Sequence, residues 1–256
     1  MRNILSVIRF TFLEMVRNKI LYALLFFAFF VIGLGIAMTQ MTIGDNMNVI
    51  SDIGLGSVEI FSTVIAIFMG VTLIHQELKL RTIYLLFARP IKRWQYLLGK
   101  FFGMSLLIFV EILFMAVILE GLFIIYGGPE KIITYLPVFY SILLQTMTII
   151  AMAVFCSTLT EIVVGAILTI SFYITGAISY NLQYALSGKV SEMTMKIVTM
   201  LRYILPDFSY FNIKDNLVYG TGLEGINLWV STGYAFTIIV ILLSASLVFF
   251  NQKELL

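Results

Sequence analysis

The sequence predicts an all-α integral membrane protein with six transmembrane helices, both termini cytoplasmic, and an amphipathic interfacial helix at the N-terminus. Three observations lead there. Hydrophobic residues make up 61% of the chain and charged residues only 12%, about half the roughly 25% of a soluble domain. Apolar runs of spanning length, about 20 residues, recur along the sequence. Lys and Arg gather in alternate connecting segments. The runs are continuously apolar rather than alternating, which argues for helices and against a β-barrel.

The first element is a connecting helix over residues 1–19. Ile4, Leu5, Ile8, Phe12 and Met15 recur at helical spacing with Arg2, Arg9 and Arg17 between them, the pattern of a helix lying in the interface before it turns into the first span. The apolar run that follows exceeds the roughly 7–15 residues of a signal core, and no small-x-small site follows it, so it is not a cleaved signal. The six-helix domain occupies 20–250, with spans near 20–41, 56–74, 97–126, 136–155, 162–180 and 228–250. The second span carries Glu59 near its outer end, and the overlong third carries Glu111 and Glu120. With the N-terminus inside, eleven Lys and Arg fall on the inner side and five outside, four of those in one long outer loop over 181–227. Residues 251–256 form a cytoplasmic tail.

Several function classes are excluded. A net charge of +2 gives no footprint for nucleic acid. One His and one Cys leave little material for a metalloenzyme or a triad hydrolase, and Cys156 reads as a small apolar filler. A phosphate loop, GxxxxGK[ST], is absent: Gly99-Lys100 is followed by Phe101, and Trp94 stands where the first Gly would be. Leu186-Ser187-Gly188-Lys189 half-matches an ATPase signature loop, but it falls in the outer loop with no phosphate loop beside it. The chain is therefore not an enzyme by itself. Met38, Met41, Met47, Met193, Met195 and Met200 cluster near the outer side. Thioethers suit Cu(I), but with no His or Cys beside them they read as packing, and no metal site is assigned.

The densest charge lies in HQELKLRTIYLLFARPIKRWQYLLGK, His75 to Lys100, around the cytoplasmic loop over 76–97. Its apolar core over 83–88 would be about 9 Å long as a helix against a bilayer core of about 30 Å, so it cannot span. Glu77 and Arg81 stand at helical ion-pair spacing, and Pro90 disfavours helix at Arg89 and can open a new one. Trp94 and Tyr96 suit a headgroup belt. A short apolar face rimmed with cations can lie on anionic lipid, dock into a partner's groove, or simply join two spans. The residues alone leave these open.

The pattern Glu77, Arg81-Thr82, Leu85-Leu86, Arg89-Pro90-Ile91-x-Arg93, Leu98-Gly99-Lys100 resembles the first cytoplasmic loop of ABC-2-type exporter permeases, in particular the NosY and gliding-motility permease subgroup. Phe12 to Lys19, Phe155-Cys156-Ser157-Thr158, Leu205-Pro206-Asp207-Phe208 and Phe211-Asn212 resemble further parts of that family in order, so the likeness covers nearly the whole chain. Gly176 is followed by Ala177 where the subgroup tends to carry Gly-His. The resemblance implies a permease subunit of an exporter. Its coupling loop, with Glu77, Arg81, Thr82, Leu85, Leu86, Arg89, Pro90 and Arg93, sits in a cleft of a separate ABC ATPase subunit. It also implies a second permease copy or homologue, ATP and magnesium held by the ATPase rather than by this chain, and residence in a prokaryotic cytoplasmic membrane. Membrane lipid and a possible outer-face protein complete the expected partners.

Glu111, near the middle of the third span, is the candidate for a substrate path, because a carboxylate at that depth is costly and implies either function or a buried packing role. Glu120 is nine residues on, about half a turn out of phase, so the two do not form an acid/base pair. Glu120 is expected at the outer interface and Glu59 near a boundary in water. In the outer loop Met193, Ile197, Met200, Leu201 and Ile204 form a helical stripe, with Lys189, Glu192, Lys196 and Arg202 largely off it, which suggests an interfacial or gating helix before turns over 206–225. The alternative function is a non-transporting membrane scaffold or signalling component of a motility or maturation complex. Secondary transport is disfavoured, since no internal repeat is present and Glu111 is the one midplane ionisable group.

Overall fold

A computed structural model describes residues 2–39, 46–79, 92–127, 131–186, 206–214 and 227–252. Within them the chain forms seven α-helices and a single 3-10 turn, with no strand: α1 (Arg2–Val16), α2 (Lys19–Thr39), α3 (Asn46–Lys79), α4 (Arg93–Gly127), α5 (Lys131–Leu159), α6 (Ile162–Leu186), the 3-10 turn Phe208–Phe211, and α7 (Leu228–Gln252). Four stretches are long and apolar enough to cross a membrane: Asn48–Leu73, Arg93–Ile125, Tyr135–Leu159 and Leu228–Gln252. Shorter apolar stretches, Leu24–Gly33 and Ile162–Ile178, lie in α2 and α6.

Side-chain pairs fix the directions. Ser62 meets Glu111 while Gly54 faces Leu119, so α3 and α4 are antiparallel. Ser51 meets Tyr135, Glu59 meets Gln145 and Gly70 faces Ala153, so α3 and α5 run parallel. Tyr173 beside Gln145 turns α6 back, and Tyr140–Thr232 with Phe155–Phe249 sets α7 parallel to α5. Asn18 near Met69 and Gly35 near Ile53 make α2 antiparallel to α3. Successive helices from α2 to α7 thus alternate in direction, and the start of α4 and the end of α7 share one end of the bundle.

α5 is the central helix, touching α3, α4, α6, α7 and the 3-10 turn. It is enclosed nearly all round, burying Val138, Ile142, Ile149, Ile150 and Val154 together with the polar Ser141, Gln145, Thr146 and Thr148. Small residues let backbones approach where water gives no driving force. A Cβ at Gly70 would come within 2.6 Å of the Ala153 Cβ. The outward faces of α4 and α7 carry Phe102, Phe109, Leu113, Phe114, Trp229 and Phe236 exposed, a surface compatible with lipid and not with water.

Several boundaries move. α3 begins at Asn46 rather than near 56, because its polar first turns are satisfied: Ser51 Oγ and Tyr135 Oη lie 2.8 Å apart, both residues buried. It runs on to Lys79, and α4 already begins at Arg93, so helix enters the expected loop from both sides. α6 likewise continues to Leu186. In α1 the expected apolar row divides. Val7, Thr11 and Met15 form the buried stripe, Ile4, Ile8 and Phe12 are half-buried, and Leu5 is exposed with Phe10 and Leu13.

Candidate functional site

The end of the bundle that holds the start of α4 is built from α1, α4 and α7. α1 seats on α4 through two glycines one helical turn apart. A Cβ at Gly99 would meet Val7 Cγ1 at 2.6 Å, and one at Gly103 would meet Thr11 Cβ at 2.7 Å. Between them on the sequence, Lys100 is 0% exposed and its Nζ pairs with Glu14 Oε2 at 3.3 Å. The ammonium also lies 5.7 Å from the Phe10 ring centroid and 5.9 Å from that of Tyr96, within cation–π reach. Leu98-Gly99-Lys100, which the sequence groups with the loop, thus belongs to the α1–α4 joint.

Arg93 opens α4, and its Nη1 donates to the Phe250 carbonyl at 3.1 Å and the Asn251 carbonyl at 2.9 Å. Those carbonyls lie in the last described turn of α7. Tyr96, three residues on, stacks on Phe250 at 5.9 Å between centroids and 16° between planes. This corrects the expectation for the aromatic pair. Trp94 is exposed as a headgroup residue should be, but Tyr96 is buried because the end of α7 packs over it. Of the other loop residues, Glu77 lies in α3 with its side chain outside the described residues, and Arg81, Thr82, Leu85, Leu86, Arg89 and Pro90 lie outside them altogether.

Glu111 lies 18 residues beyond Arg93, about 27 Å along α4, and is 4% exposed. Ser62 Oγ donates to its Oε2 at 2.8 Å, and among the described residues its enclosed Oε1 has no hydrogen-bond partner. Both carboxylate oxygens of Glu120 are likewise enclosed and unpartnered among the described residues. Glu120 as a residue is half-buried.

The opposite end holds a cluster that sequence reasoning missed. Glu59 is not simply solvated: Gln145 Nε2 donates to its Oε1 at 3.1 Å, and Lys214 Nζ pairs with its Oε2 at 3.3 Å. Gln145 also donates to Tyr173 Oη at 3.3 Å. Lys214 arrives on a strap, residues 206–214, whose backbone is held by side chains of the surrounding helices. The Asp207 N–H donates to Tyr234 Oη at 2.6 Å, Ser231 Oγ donates to the Tyr210 carbonyl at 2.8 Å, and Ser141 Oγ donates to the Phe211 carbonyl. Phe208, Phe211 and Ile213 are buried beneath it, and Asp207 caps the 3-10 turn by accepting from Ser209 N. Gly176 makes room: a Cβ there would lie 2.3 Å from the Pro206 carbonyl oxygen. The sequence signal was a lone Lys beside an aromatic turn, with a Glu in a span to receive it.

The methionine group lies outside the described residues at 41, 193, 195 and 200, as do the side chains of Met38 and Met47 and the outer stripe over 189–204. Cys156 is buried, as a filler would be.

Fold and site together define a multi-pass helical membrane protein with polar joints at both ends and one enclosed carboxylate pairing at mid-depth. The family model described as ABC-2 family transporter protein matches residues 6–255, and the chain belongs to that family as a membrane component. Membership implies an ABC ATPase as partner in general terms. No curated protein gives a significant match to the chain.

Proposed function

We propose that the chain is the permease subunit of an ABC exporter with six membrane spans and both ends of the chain cytoplasmic. A separate ATPase docks on the loop between α3 and α4. The observation that carries this is the family match over residues 6–255, joined to the position of that loop. It lies between two long antiparallel helices, at the end of the bundle where α1 sits and where Arg2, Arg9, Arg17, Lys79, Arg81, Arg89, Lys92 and Arg93 gather in the sequence. An excess of Lys and Arg marks the cytoplasmic side. The alternation of α2 to α7 supports six passes, with α2 and α6 crossing beside the four longer spans.

Glu77, Arg81, Thr82, Leu85, Leu86, Arg89 and Pro90 form the docking face. Arg93 stands apart from it, because its guanidinium is turned onto α7. ATP and magnesium belong to the ATPase. A second permease copy or homologue completes the path, and Glu111 lines it or steadies it. The test is a pull-down of the tagged chain from membranes in mild detergent with mass spectrometry of the bound proteins. A stoichiometric companion carrying a phosphate loop, lost on Leu85→Asp with Leu86→Asp, is the expected result. A structural partner in place of an ATPase would overturn the reading in favour of a non-transporting scaffold.

A further inference from the structure

The contact between Arg93 and α7 is directed at main chain. Its Nη1 reaches the carbonyls of Phe250 and Asn251, which carry the negative end of the α7 dipole. A cation beside carbonyls at the C-terminal end of a helix gains from the dipole. Because the acceptors are backbone, no change of side-chain rotamer on α7 can release them. Tyr96 and Phe250, 1% and 0% exposed, lock the same turn by stacking, and Phe249 meets Phe155 of α5 from the other side at 6.1 Å. One turn further along α4, Gly99, Lys100 and Gly103 bind α1. The residue that ends the loop is therefore fixed to the last turn of α7, and the next two turns of α4 are fixed to α1.

We propose that Arg93 is a positioning residue that hitches α7 to the loop, so that displacement of the loop by a docked ATPase moves the α4 start and the α7 end as one body. The inference rests on the docking function proposed above and adds to it the helix that receives the motion. α3 leaves the loop on its other side, and near that end it packs on α5 and α6 through Gly70 against Ala153 and Gly165 against Val71. Of the two helices the loop joins, α4 is the one whose first turn is bonded to the end of α7. A push on the loop therefore reaches the end of α7 as well as the start of α4, and shifts that end against the neighbouring α5 on which α7 also packs.

The test uses the co-purified permease–ATPase complex in lipid nanodiscs. With Cys156→Ser removing the native thiol, spin labels are placed at Gln252→Cys, at the end of α7, and Glu161→Cys, between α5 and α6, both exposed. Their separation is measured by pulsed electron resonance without nucleotide and with ATP trapped by vanadate. The expected result is a nucleotide-dependent shift with Arg93 present. Arg93→Ala loses the shift while the companion ATPase stays bound, and Arg93→Lys recovers part of it by returning the cation. Tyr96→Leu, which leaves the guanidinium in place, weakens the shift less and carries the test should the alanine variant fail to fold. A full shift in Arg93→Ala, or none with Arg93 present while ATP turns over, overturns the hitch and leaves the docking function standing. Absence of any phosphate-loop companion overturns both.

Discussion

The two ends of the bundle are held by opposite means. At the Arg93 end helix is joined to helix: two glycines admit α1, a fully enclosed lysine pairs with Glu14, and a guanidinium grips the carbonyls of α7. At the Lys214 end a non-helical strap is joined to helices: serine and tyrosine side chains of α5 and α7 hold one short piece of backbone, and its Lys214 pairs with Glu59 of α3. Irregular backbone at membrane depth is tolerated only where protein groups or a watery cavity satisfy it. Ser141, Ser231 and Tyr234 supply them, which is why polar residues stand in otherwise apolar helices there. The Glu59–Lys214 pair, with side chains 21% and 19% exposed, is reached by solvent, whereas Lys100 is not. The first end has the character of a weld and the second that of a latch made of many small bonds.

The sharpest way to break this contrast is to fill the glycines. Gly103→Leu places a branched side chain where even a Cβ meets Thr11 at 2.7 Å, and the nearest atoms belong to a β-branched residue that cannot swing away. Overpacking of this kind costs about 1–3 kcal/mol or more. The expected result is the lowest melting temperature of the set in detergent, with α1 becoming open to protease. Gly176→Ala strikes a backbone carbonyl of the strap at 2.3 Å and should expose 206–214 to labelling while α1 stays protected. Gly121→Ala is the control. Nothing lies within 4 Å of its Cβ, and helix propensity favours alanine there by up to about 1 kcal/mol. Equal damage at all three positions would mean that glycine flexibility, not close approach, is what the sites require.

The next effect separates charge from packing at the weld. Glu14→Gln removes the carboxylate beside an ammonium that is 0% exposed, whereas Lys100→Met leaves a carboxylate that is 35% exposed and can be rehydrated. Removal of one partner of an enclosed pair is the costly direction, and apolar replacement of the buried member is mild. Glu14→Gln is therefore expected to lose about 1–3 kcal/mol and Lys100→Met less, read as the order of melting temperatures. The reverse order would show that the lysine acts through its stem and rings rather than its charge.

What was legible in the sequence follows from range. The spans were readable because a bilayer imposes a length that local composition must meet, and the apolar runs at 136–155 and 228–250 lie inside the observed α5 and α7. Their ends were not, since Ser51 and Asn48 look like loop residues until Tyr135 is placed opposite Ser51. Glu111 was singled out from its depth alone, and the structure encloses it and supplies Ser62. Glu59 looked like a boundary residue because its partner Lys214 is 155 positions away. The spacing of Gly99 and Gly103 does carry a signal, small residues one turn apart at the head of a span, but the sequence reading uses only Gly99, as part of the loop pattern. Tyr96 was misplaced for the same reason: a belt position and a buried stack have the same local sequence.

At mid-depth Ser62→Ala tests a single bond. It leaves the enclosed Glu111 Oε2 without the hydroxyl that donates to it, and loss of a buried partner costs about 1–3 kcal/mol. Ser62→Cys, which keeps a weak donor of similar size, should lie between alanine and serine on the same melting scale. No loss in either variant would mean that the carboxylate finds another donor in α3.

The smallest expected effect belongs to the latch, and it distinguishes the two ends by salt. A partly exposed ion pair contributes about 0–1 kcal/mol and is screened. Lys214→Met should therefore lower the melting temperature only slightly in low salt and not at all in high salt, because salt has by then removed what the mutation removes. The strap itself stays seated on Phe208, Phe211 and Ile213. The more informative readout is local: a thiol at Asn212→Cys, exposed beside the pair, should react faster with a water-soluble maleimide when Lys214 is replaced, and faster in the native protein as salt is raised. The same salt series should leave Glu14→Gln unchanged, since the Lys100 ammonium is out of reach of the ions. A salt response at Lys100 equal to that at Lys214 would make both ends latches.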